Sequence, residues 1–503
     1  MCGIAAFFAG NESVDSQGFT DIASRLGHRG PDGMGVAMSG RAALFHARLA
    51  IVDLEGGKQP MRGKDQRLAL ICNGEIYNHE ALRERLGPDR FATRSDSEVV
   101  LHLYQDLGAS CAGELDGMFA FFVTDGQRFV AARDPLGIKP LYFGHDDRGS
   151  TWFASEFKAL AGHCPSFQEL PAGSLLTETG LMERWYSPRW ERSVGHLEAP
   201  PAALPDRLER AVLKRLMSDV DVGVFLSGGL DSSIIAALAR RNLGGVKSFA
   251  VGLEGAPDLD AARFVARALG TEHHEYVYSG PEAIQALPEV IYHLESYDAA
   301  LIRSAVPCYF LSKLASQHVK VALTGEGADE VFAGYDFFAD VWDPSELHRE
   351  CVRLLFGLHG MNLQRLDRMT MAHGLEGRVP FLDVEFLDWA MSLDPRLKLR
   401  PAKTLEKRLL RRAFDGYLPP EILKRPKQEF SRGSGADPVF LEYAEQKIAD
   451  SELMRASHEF PADTPTTKEE LLYRRIFEDL FPGDSPRASV QRWRVPASPR
   501  LPS

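Results

Sequence analysis

Cys2 follows the initiator methionine in MCGIAAFF. Met removal is favoured before a small residue, and it would leave a free α-amine beside the Cys2 thiol. Such an amine titrates at about 7.7–8.0 and can serve as the local base of a nucleophile. The alternative use of Cys2 is as a small apolar residue in a buried first strand. Polar groups elsewhere supply what acyl chemistry would need. Arg48, in HARLAIVD, can clamp a carboxylate bidentately. Asn73 and Gly74, in CNGEIYNH, pair a side-chain amide with a glycine N–H, the makings of an oxyanion hole. Asp96 can receive an ammonium group. Taken singly, Asn73-Gly74 also reads as a turn, and Asp96 as a helix N-cap.

A second set points to phosphate. SGGLDSS, Ser227 to Ser233, follows the apolar run Val222–Leu226 and opens a helix near Ser232. A Gly-rich turn feeding a helix N-terminus aims backbone N–H groups at an anion. The serine hydroxyls add donors, and Asp231 can hold Mg²⁺. No GxxxxGK[ST] is present, so this is not a Walker loop. The missing lysine suits a site that binds pyrophosphate without transferring a γ-phosphoryl group. The alternative is a generic strand-to-helix turn.

Two further segments could complete that site. TGEGADE, Thr324 to Glu330, follows the apolar run Val319–Leu323. Loops at the carboxyl ends of parallel strands are where open α/β sheets bind ligands. Asp329 is a Mg²⁺ candidate, Glu330 a second, and Glu326 a base or an ordering group. A solvated acidic loop is the alternative. Lys427, in KRPKQEFS, could neutralise charge on a leaving group, although charge runs are usually solvated surface.

The elements that must position these groups fall into two textures. To about residue 187 the chain shows short apolar runs between Gly, Asn and Asp: Gly3–Phe8, Ala42–His46, Leu68–Cys72, Phe119–Val123, Phe129–Ala132, Leu141–Phe143 and Trp152–Ala154. The clearest helix is Asp96–Leu107, with Val99, Val100 and Leu103 on one face. This predicts a layered domain dominated by antiparallel sheet. Ser187–Pro205 carries four prolines and reads as a linker. Beyond it, helix Leu208–Leu216, strand Val220–Leu226, helix Ser232–Arg241, strand Val246–Gly252 and helix Asp260–Leu269 alternate, which implies a parallel sheet. From Glu346 the pattern is mainly helical, as in Leu347–Leu358 and Lys403–Phe414. The proline- and arginine-rich end is expected to be unstructured.

Composition narrows the class. The chain has 503 residues, 44% hydrophobic and 25% charged, with a net charge of −12. That balance argues against nucleic-acid binding, which wants a basic face. Cysteines at 2, 72, 111, 164, 308 and 351 form no CxxC, so neither a zinc ribbon nor a disulfide framework is expected. No signal peptide and no apolar run near the roughly 20 residues of a membrane span is read. The expected setting is a reducing cytoplasm.

Together the segments MCGIA, HRGPDG, RLAIVDL, NGEIYNH, ARDPLGIKPLYFG, SGGLDSS, GEGADEVFAGY, RVPFLD, PKQEFS and YRRIFEDLFP resemble the glutamine-dependent asparagine synthetases of the bacterial class-B type. The resemblance runs from Cys2 to about Pro482. It implies an α/β and α+β chain of two domains. Residues 2–187 would be an N-terminal-nucleophile glutaminase with an αββα sandwich. Residues 188–205 would be a linker, and 206–482 an ATP-pyrophosphatase domain with an adenine-nucleotide α-hydrolase core and added helices. Residues 483–503 would be a tail.

By the family's pattern, Cys2 attacks the glutamine amide, Asn73 and Gly74 stabilise the oxyanion, and Arg48, Val52, Asn73, Glu75 and Asp96 hold glutamine. Leu226, Ser227, Gly229, Asp231, Ser232, Val251, Thr324 and Gly325 would bind ATP as co-substrate. Mg²⁺ would sit at Asp231 and Asp329. Lys427 matches a lysine that stabilises the adenylation transition state, and Glu326 a glutamate tied to the acyl-adenylate. The implied partners are glutamine, ATP and aspartate or a related carboxylate, with no nucleic acid or membrane, in a homodimer.

The chain departs from the family at Ala300-Leu301, where close relatives carry a Thr-Thr pair in a region implicated in aspartate recognition. Arg303 still matches and could bind the acceptor carboxylate. Lost hydroxyls leave two readings open: aspartate retained by compensation, or another carboxylate acceptor. Thr324 replaces a common serine and keeps the hydroxyl. A β-lactam-synthetase-like cyclase would not need the Cys2 set, a purine-pathway glutaminase would lack SGGLDSS, and a sensor pseudoenzyme would have lost one of the two.

Overall fold

The computed structural model of the protein describes residues 2–10, 18–64, 66–198, 202–401 and 403–492. The N-terminal half is built on two antiparallel sheets. The first runs, in spatial order, Ser166–Glu169, Tyr142–His145, Thr151–Ala154, Cys2–Phe8, Ala42–Arg48, Gly33–Ser39. The second runs Met182–Arg184, Ser174–Thr177, Phe129–Arg133, Gly117–Thr124, Ala69–Ile76, Met61–Arg62.

Side chains alternate across a strand, so each sheet shows two faces. Ile4, Ala6 and Phe8 of the first sheet meet Ile71, Ala120 and Phe122 of the second in one apolar layer. The opposite faces are covered by helices. Ile22 and Leu26 of helix Gly18–Leu26 pack on Ala5 and Phe7. Val99, Val100 and Leu103 of helix Glu98–Leu107 pack on Cys72, Phe119 and Phe121. The layers are therefore helix, sheet, sheet, helix. Strands buried on both faces explain the unbroken apolar runs in their sequence.

The C-terminal half holds a five-stranded parallel sheet in the order Glu272–Val277, Lys247–Gly252, Val222–Phe225, Val321–Leu323, Glu376–Arg378. The chain enters at the middle strand, builds outward to one side, then returns to the other. The order therefore reverses between Val222–Phe225 and Val321–Leu323. A crevice outside the carboxyl ends of strands at such a reversal is the usual ligand site of an open α/β sheet.

Four expectations need correction. Helix Ala203–Lys214 begins before residue 208, because Pro205 occupies its first turn, where a missing N–H costs nothing. The stretch read as a linker is also anchored: Trp190 is buried and donates to Asp388 at 2.8 Å, and Leu197 bridges Leu393. Lys403–Phe414 forms a helix only over Arg408–Ala413, since Lys407 is left-handed at φ 52°. The presumed tail from 483 contains helix Asp484–Ala488, and Arg492 pairs with Asp463 at 2.9 Å and Glu470 at 2.6 Å. Residues 493–503 lie outside the described residues.

The two halves share apolar contacts. Phe157, from the N-terminal half, packs edge-on against Phe481 at 5.2 Å and Phe477 at 6.5 Å. Trp190 stacks on Phe356. One continuous apolar cluster includes Ala5, Phe7, Phe157, Leu204, Phe225, Ile302 and Phe477. Among the described residues, no helix is long and apolar enough to cross a membrane.

Candidate active sites

The pleat explains how Cys2 and Asn73 meet. Cys2 lies in register with Ile4 and Ala6 on the face turned to the second sheet. Asn73 and Glu75 share the face of Ile71, turned to the first. The Cys2 N–H donates to Asn73 Oδ1 at 2.9 Å. That bond orients the amide, leaving Asn73 Nδ2 buried with no hydrogen-bond partner among the described residues. An unused buried donor beside a thiol suits an oxygen that gains charge during reaction. Gly74 follows at φ +149°, and a Cβ there would lie 2.0 Å from the Met118 carbonyl. Only glycine fits that approach.

Arg48 sits opposite Cys2 in the strand register. Its guanidinium donates to the carbonyls of Asp53 and Leu54, both at 2.8 Å, which holds it against the loop that carries Val52. Asp96 Oδ2 accepts the Ile76 N–H at 2.7 Å. Glu75 Oε1 lies 3.5 Å from Arg378 Nη2, and Glu75 Oε2 has no hydrogen-bond partner among the described residues. Burial raises both the Glu75 and Asp96 carboxyls, and it raises the Cys2 thiol too. Burial thus disfavours the thiolate, and reaction would call on a base at hand.

The second site is a cavity of about 560 Å³ at the sheet's reversal point, a size typical of small-molecule sites. Leu226, Ser227, Gly229, Asp231, Ser232, Val251, Thr324 and Gly325 all line it. Ser227 Oγ accepts the Gly229 N–H at 3.3 Å, and Ser232 Oγ donates to the Gly229 carbonyl at 3.2 Å. These bonds shape the turn ahead of the 13-residue helix Leu230–Asn242. Gly228, at φ +69°, lets the loop pass Ala261, whose carbonyl carbon would lie 2.4 Å from an added Cβ.

Two acids and two lysines meet on this cavity. Lys407 pairs with Asp231 and lies 2.7 Å from Asp329. Lys427 donates to Asp329 at 2.6 Å and to the Gly334 carbonyl at 3.3 Å, with its ammonium 4.3 Å from the Tyr335 ring centre. Although burial alone would raise it, the two ammonium groups hold Asp329 far below the usual carboxylate range. Burial wins at Asp231, whose carboxyl is raised. Among the described residues, no group of three or more His, Cys, Asp or Glu has the geometry of a metal site. Mg²⁺ needs only one or two carboxylates when phosphates supply the rest. Asp231 and Asp329 fit that pattern, and Asp231 Oδ1 is buried without a hydrogen-bond partner among the described residues.

Sequence reasoning missed Lys407. It lay inside a segment read as helix, and its left-handed backbone is what turns its ammonium to both acids. Glu330 is set apart from the metal candidates. It is buried, accepts from Tyr335 Oη, and is pushed up to about 7 by burial and the nearby Asp329.

The cavity lining also includes the apolar Ala300, Leu301, Cys308, Met361 and Leu366, with Ser304. Arg303 does not reach it. Its guanidinium is held bidentately by Glu469, on helix Lys468–Leu480, because one turn of helix Ala299–Ala315 faces that helix. The residue expected to meet the acceptor is thus paired with Glu469 and lies outside the cavity lining. Arg365 does line the cavity, near Cys308, and pairs with Glu326. Helix Asn362–Met371 carries Arg365, and on it Asp367 accepts from the buried Arg29 at 2.9 and 3.1 Å. Arg29 in turn donates to the Cys2 carbonyl at 3.1 Å. The two sites are thus joined through one short helix.

Family models agree with this division. A glutamine amidotransferase domain matches residues 1–182, and asparagine synthase matches residues 203–343 and 339–498. A probable glutamine-hydrolysing asparagine synthetase of Dictyostelium discoideum is 44% identical, covering 98% of this chain and 96% of its own length. Glutamine-hydrolysing asparagine synthetase 2 of Arabidopsis thaliana is 44% identical, with 97% and 89% covered. Among solved structures, glutamine phosphoribosylpyrophosphate amidotransferase from B. subtilis, complexed with ADP and GMP, matches at 20% identity with a TM-score of 0.33, over 55% of this chain and 65% of its own.

Proposed function

The chain belongs to the glutamine-hydrolysing asparagine synthetase family, and on that footing we propose that it converts ATP, L-aspartate, glutamine and water into AMP, pyrophosphate, L-asparagine and glutamate. The observation that carries this reading is the pairing in one chain of a buried thiol beside an unused amide donor with a cavity that gathers two acids and two lysines behind a Gly-rich turn.

At the first site, loss of Met1 frees the Cys2 amine to take the thiol proton. The sulfur attacks the glutamine amide carbon. Asn73 Nδ2 and the Gly74 N–H receive the oxyanion, ammonia leaves, and water cleaves the thioester to glutamate. Arg48 takes the glutamine carboxylate, Glu75 and Asp96 its ammonium, and Val52 packs nearby. Gly74→Ala forces the strand away from Met118 and shifts Asn73 with it. Glutaminase activity is expected to fall at least about tenfold, with ammonia-dependent synthesis retained; parallel assays of the two check it.

At the second site a carboxylate must become a better acyl donor, since oxide is a poor leaving group. The acceptor carboxylate attacks the α-phosphorus of ATP and pyrophosphate leaves. The 227–232 turn and Lys427 take the charge that develops on pyrophosphate, and Lys407 adds a second ammonium. Mg²⁺, held by Asp231 and Asp329, would supply further neutralisation of the phosphates. Glu326 orders the acyl-adenylate for ammonia, which displaces AMP. Arg365, next to Glu326, is the group we assign to the acceptor's second carboxylate. Ammonia formed at Cys2 passes to this site inside the protein.

The apolar lining at Ala300 and Leu301 supports one second reading, in which the acceptor is a different carboxylate. One experiment separates the two: pyrophosphate release from ATP–Mg²⁺ and glutamine with and without L-aspartate, products weighed by mass spectrometry. Aspartate-dependent pyrophosphate with equal asparagine supports the first. Glutaminase activity without it would overturn aspartate and send the assay to other acids. For setting and assembly we propose the cytoplasm, in keeping with six free, buried cysteines, and a homodimer, which a solution mass twice that of the chain would support.

A further inference from the structure

We propose that Arg378, from the synthetase half, is a positioning residue of the glutaminase site: it holds the Glu75 carboxylate in place for the α-ammonium of glutamine, so that the pocket is completed by the other half of the chain. The inference rests on the glutamine reading given above.

Arg378 ends the last strand of the parallel sheet, Glu376–Arg378, and is wholly buried. Its guanidinium is fixed on two sides. Nε donates to Glu376 at 2.5 Å, and Nη1 donates to the carbonyls of Arg215 and Met217 at 2.7 and 2.6 Å. A planar fork pinned at those two nitrogens has one direction left for the third. That nitrogen, Nη2, has no hydrogen bond among the described residues and stands 3.5 Å from Glu75 Oε1. Glu75 Oε2, on the far side of the carboxylate, is likewise unused. Buried charged groups normally complete their hydrogen bonds within the protein. Here a cation braces one oxygen of Glu75 while the other waits for a donor.

The charge around Glu75 says which donor. The groups facing it are the carboxyls of Glu376 and Asp96, the Cys2 thiol, the Tyr77 phenol and Arg378, joined by the Cys2 amine once Met1 is removed. Arg378 is shared between Glu75 and Glu376, Lys139 also acts on Glu376, and Asp96 adds a third carboxyl beside Glu75, so the unused Glu75 oxygen is left for a cationic donor of the ligand. Burial, Glu376 and Asp96 push the Glu75 carboxyl up, and Arg378 opposes them. Without Arg378, Glu75 would take up a proton at higher pH and lose its hold on an ammonium.

The test uses the full chain. Arg378→Met is expected to raise the glutamine KM of the glutaminase at least tenfold at pH 8, with kcat changed less than threefold. The KM increase should grow as pH falls toward 6, because protonated Glu75 cannot pair with ammonium. Arg378→Lys should recover most of the loss and remove the added pH dependence. The main-chain bond from Thr324 N–H to the Arg378 carbonyl, 2.9 Å, survives either change, so ammonia-dependent synthesis reports on folding. Should Arg378→Met fail to fold, Arg378→Gln keeps a donor for the two carbonyls without the charge and carries the same expectation. An unchanged glutamine KM at both pH values would overturn the proposal. So would equal loss of glutaminase and ammonia-dependent synthesis in the Met or Gln and Lys variants, which marks a purely structural arginine. Absence of glutaminase in the unaltered chain would instead sink the underlying reading, and it is seen before any substitution is made.

Discussion

Cys2→Ala removes glutamine-dependent product formation, by about 10⁴-fold or more, and leaves ammonia-dependent formation within about twofold. The sulfur is the atom that would form the acyl bond, and no neighbouring group can replace it. Cys72, the nearest cysteine in sequence, points to the opposite face of its sheet, into the helix-covered layer. The substitution is also mild for the fold. Alanine keeps the Cys2 N–H and its 2.9 Å bond to Asn73, and removes one sulfur from a strand whose packing comes mainly from Ile4, Phe7 and Phe8. Feeding ammonium salts in place of glutamine bypasses the lost step. Loss of both activities would contradict the two-site reading.

Lys427→Ala stops pyrophosphate release, by about 10²–10³-fold, while the glutaminase continues. The magnitude is that of removing one preorganised charge from a site where charge develops. Lys427 is suited to that role by its surroundings. Its ammonium is held by Asp329 at 2.6 Å and the Gly334 carbonyl at 3.3 Å, over the Tyr335 ring, and it faces the cavity. Lys407 remains in the variant to balance Asp231 and Asp329, so the acids are not left bare. Removing Lys407 is the harsher change, because it bridges both carboxylates and its loss leaves Asp231 buried without a cation. Pyrophosphate and glutamate measured on the same sample check the prediction, and undiminished synthesis would take Lys427 out of the mechanism.

Much of the framework was legible because it depends on local pattern. Buried strands such as Phe119–Val123 and Val222–Leu226 appear as apolar runs, and alternating strand and helix beyond residue 205 marks a parallel sheet. The turn at 227–233 was legible because a phosphate cradle needs glycine and hydroxyl residues in one short stretch. What stayed hidden depends on distant partners. Nothing local in EKRLL shows that Lys407 adopts a left-handed backbone and reaches Asp231, 176 residues away. Arg303 carries the same residue type expected of a carboxylate ligand, yet its partner is Glu469, 166 residues on. Arg378 reads as one charge in RVPFLD, and only the packing of the two halves brings it to Glu75. Periodicity reports which face is buried and says nothing about which buried charges will meet.

The edge-on packing of Phe157 against Phe477 and Phe481, and the single apolar cluster that runs from Phe7 to Phe477, bear on how the chain melts. Separate domains with small polar contacts unfold one after the other. Here, parting the halves would bare large aromatic surface on both, at about 25 cal/mol for each Å² exposed. The cluster that spans both halves is thus a core that neither completes alone. Heat should therefore take the molecule apart in one cooperative step, and a calorimetric trace should show a single peak that a substitution in either half moves as a whole.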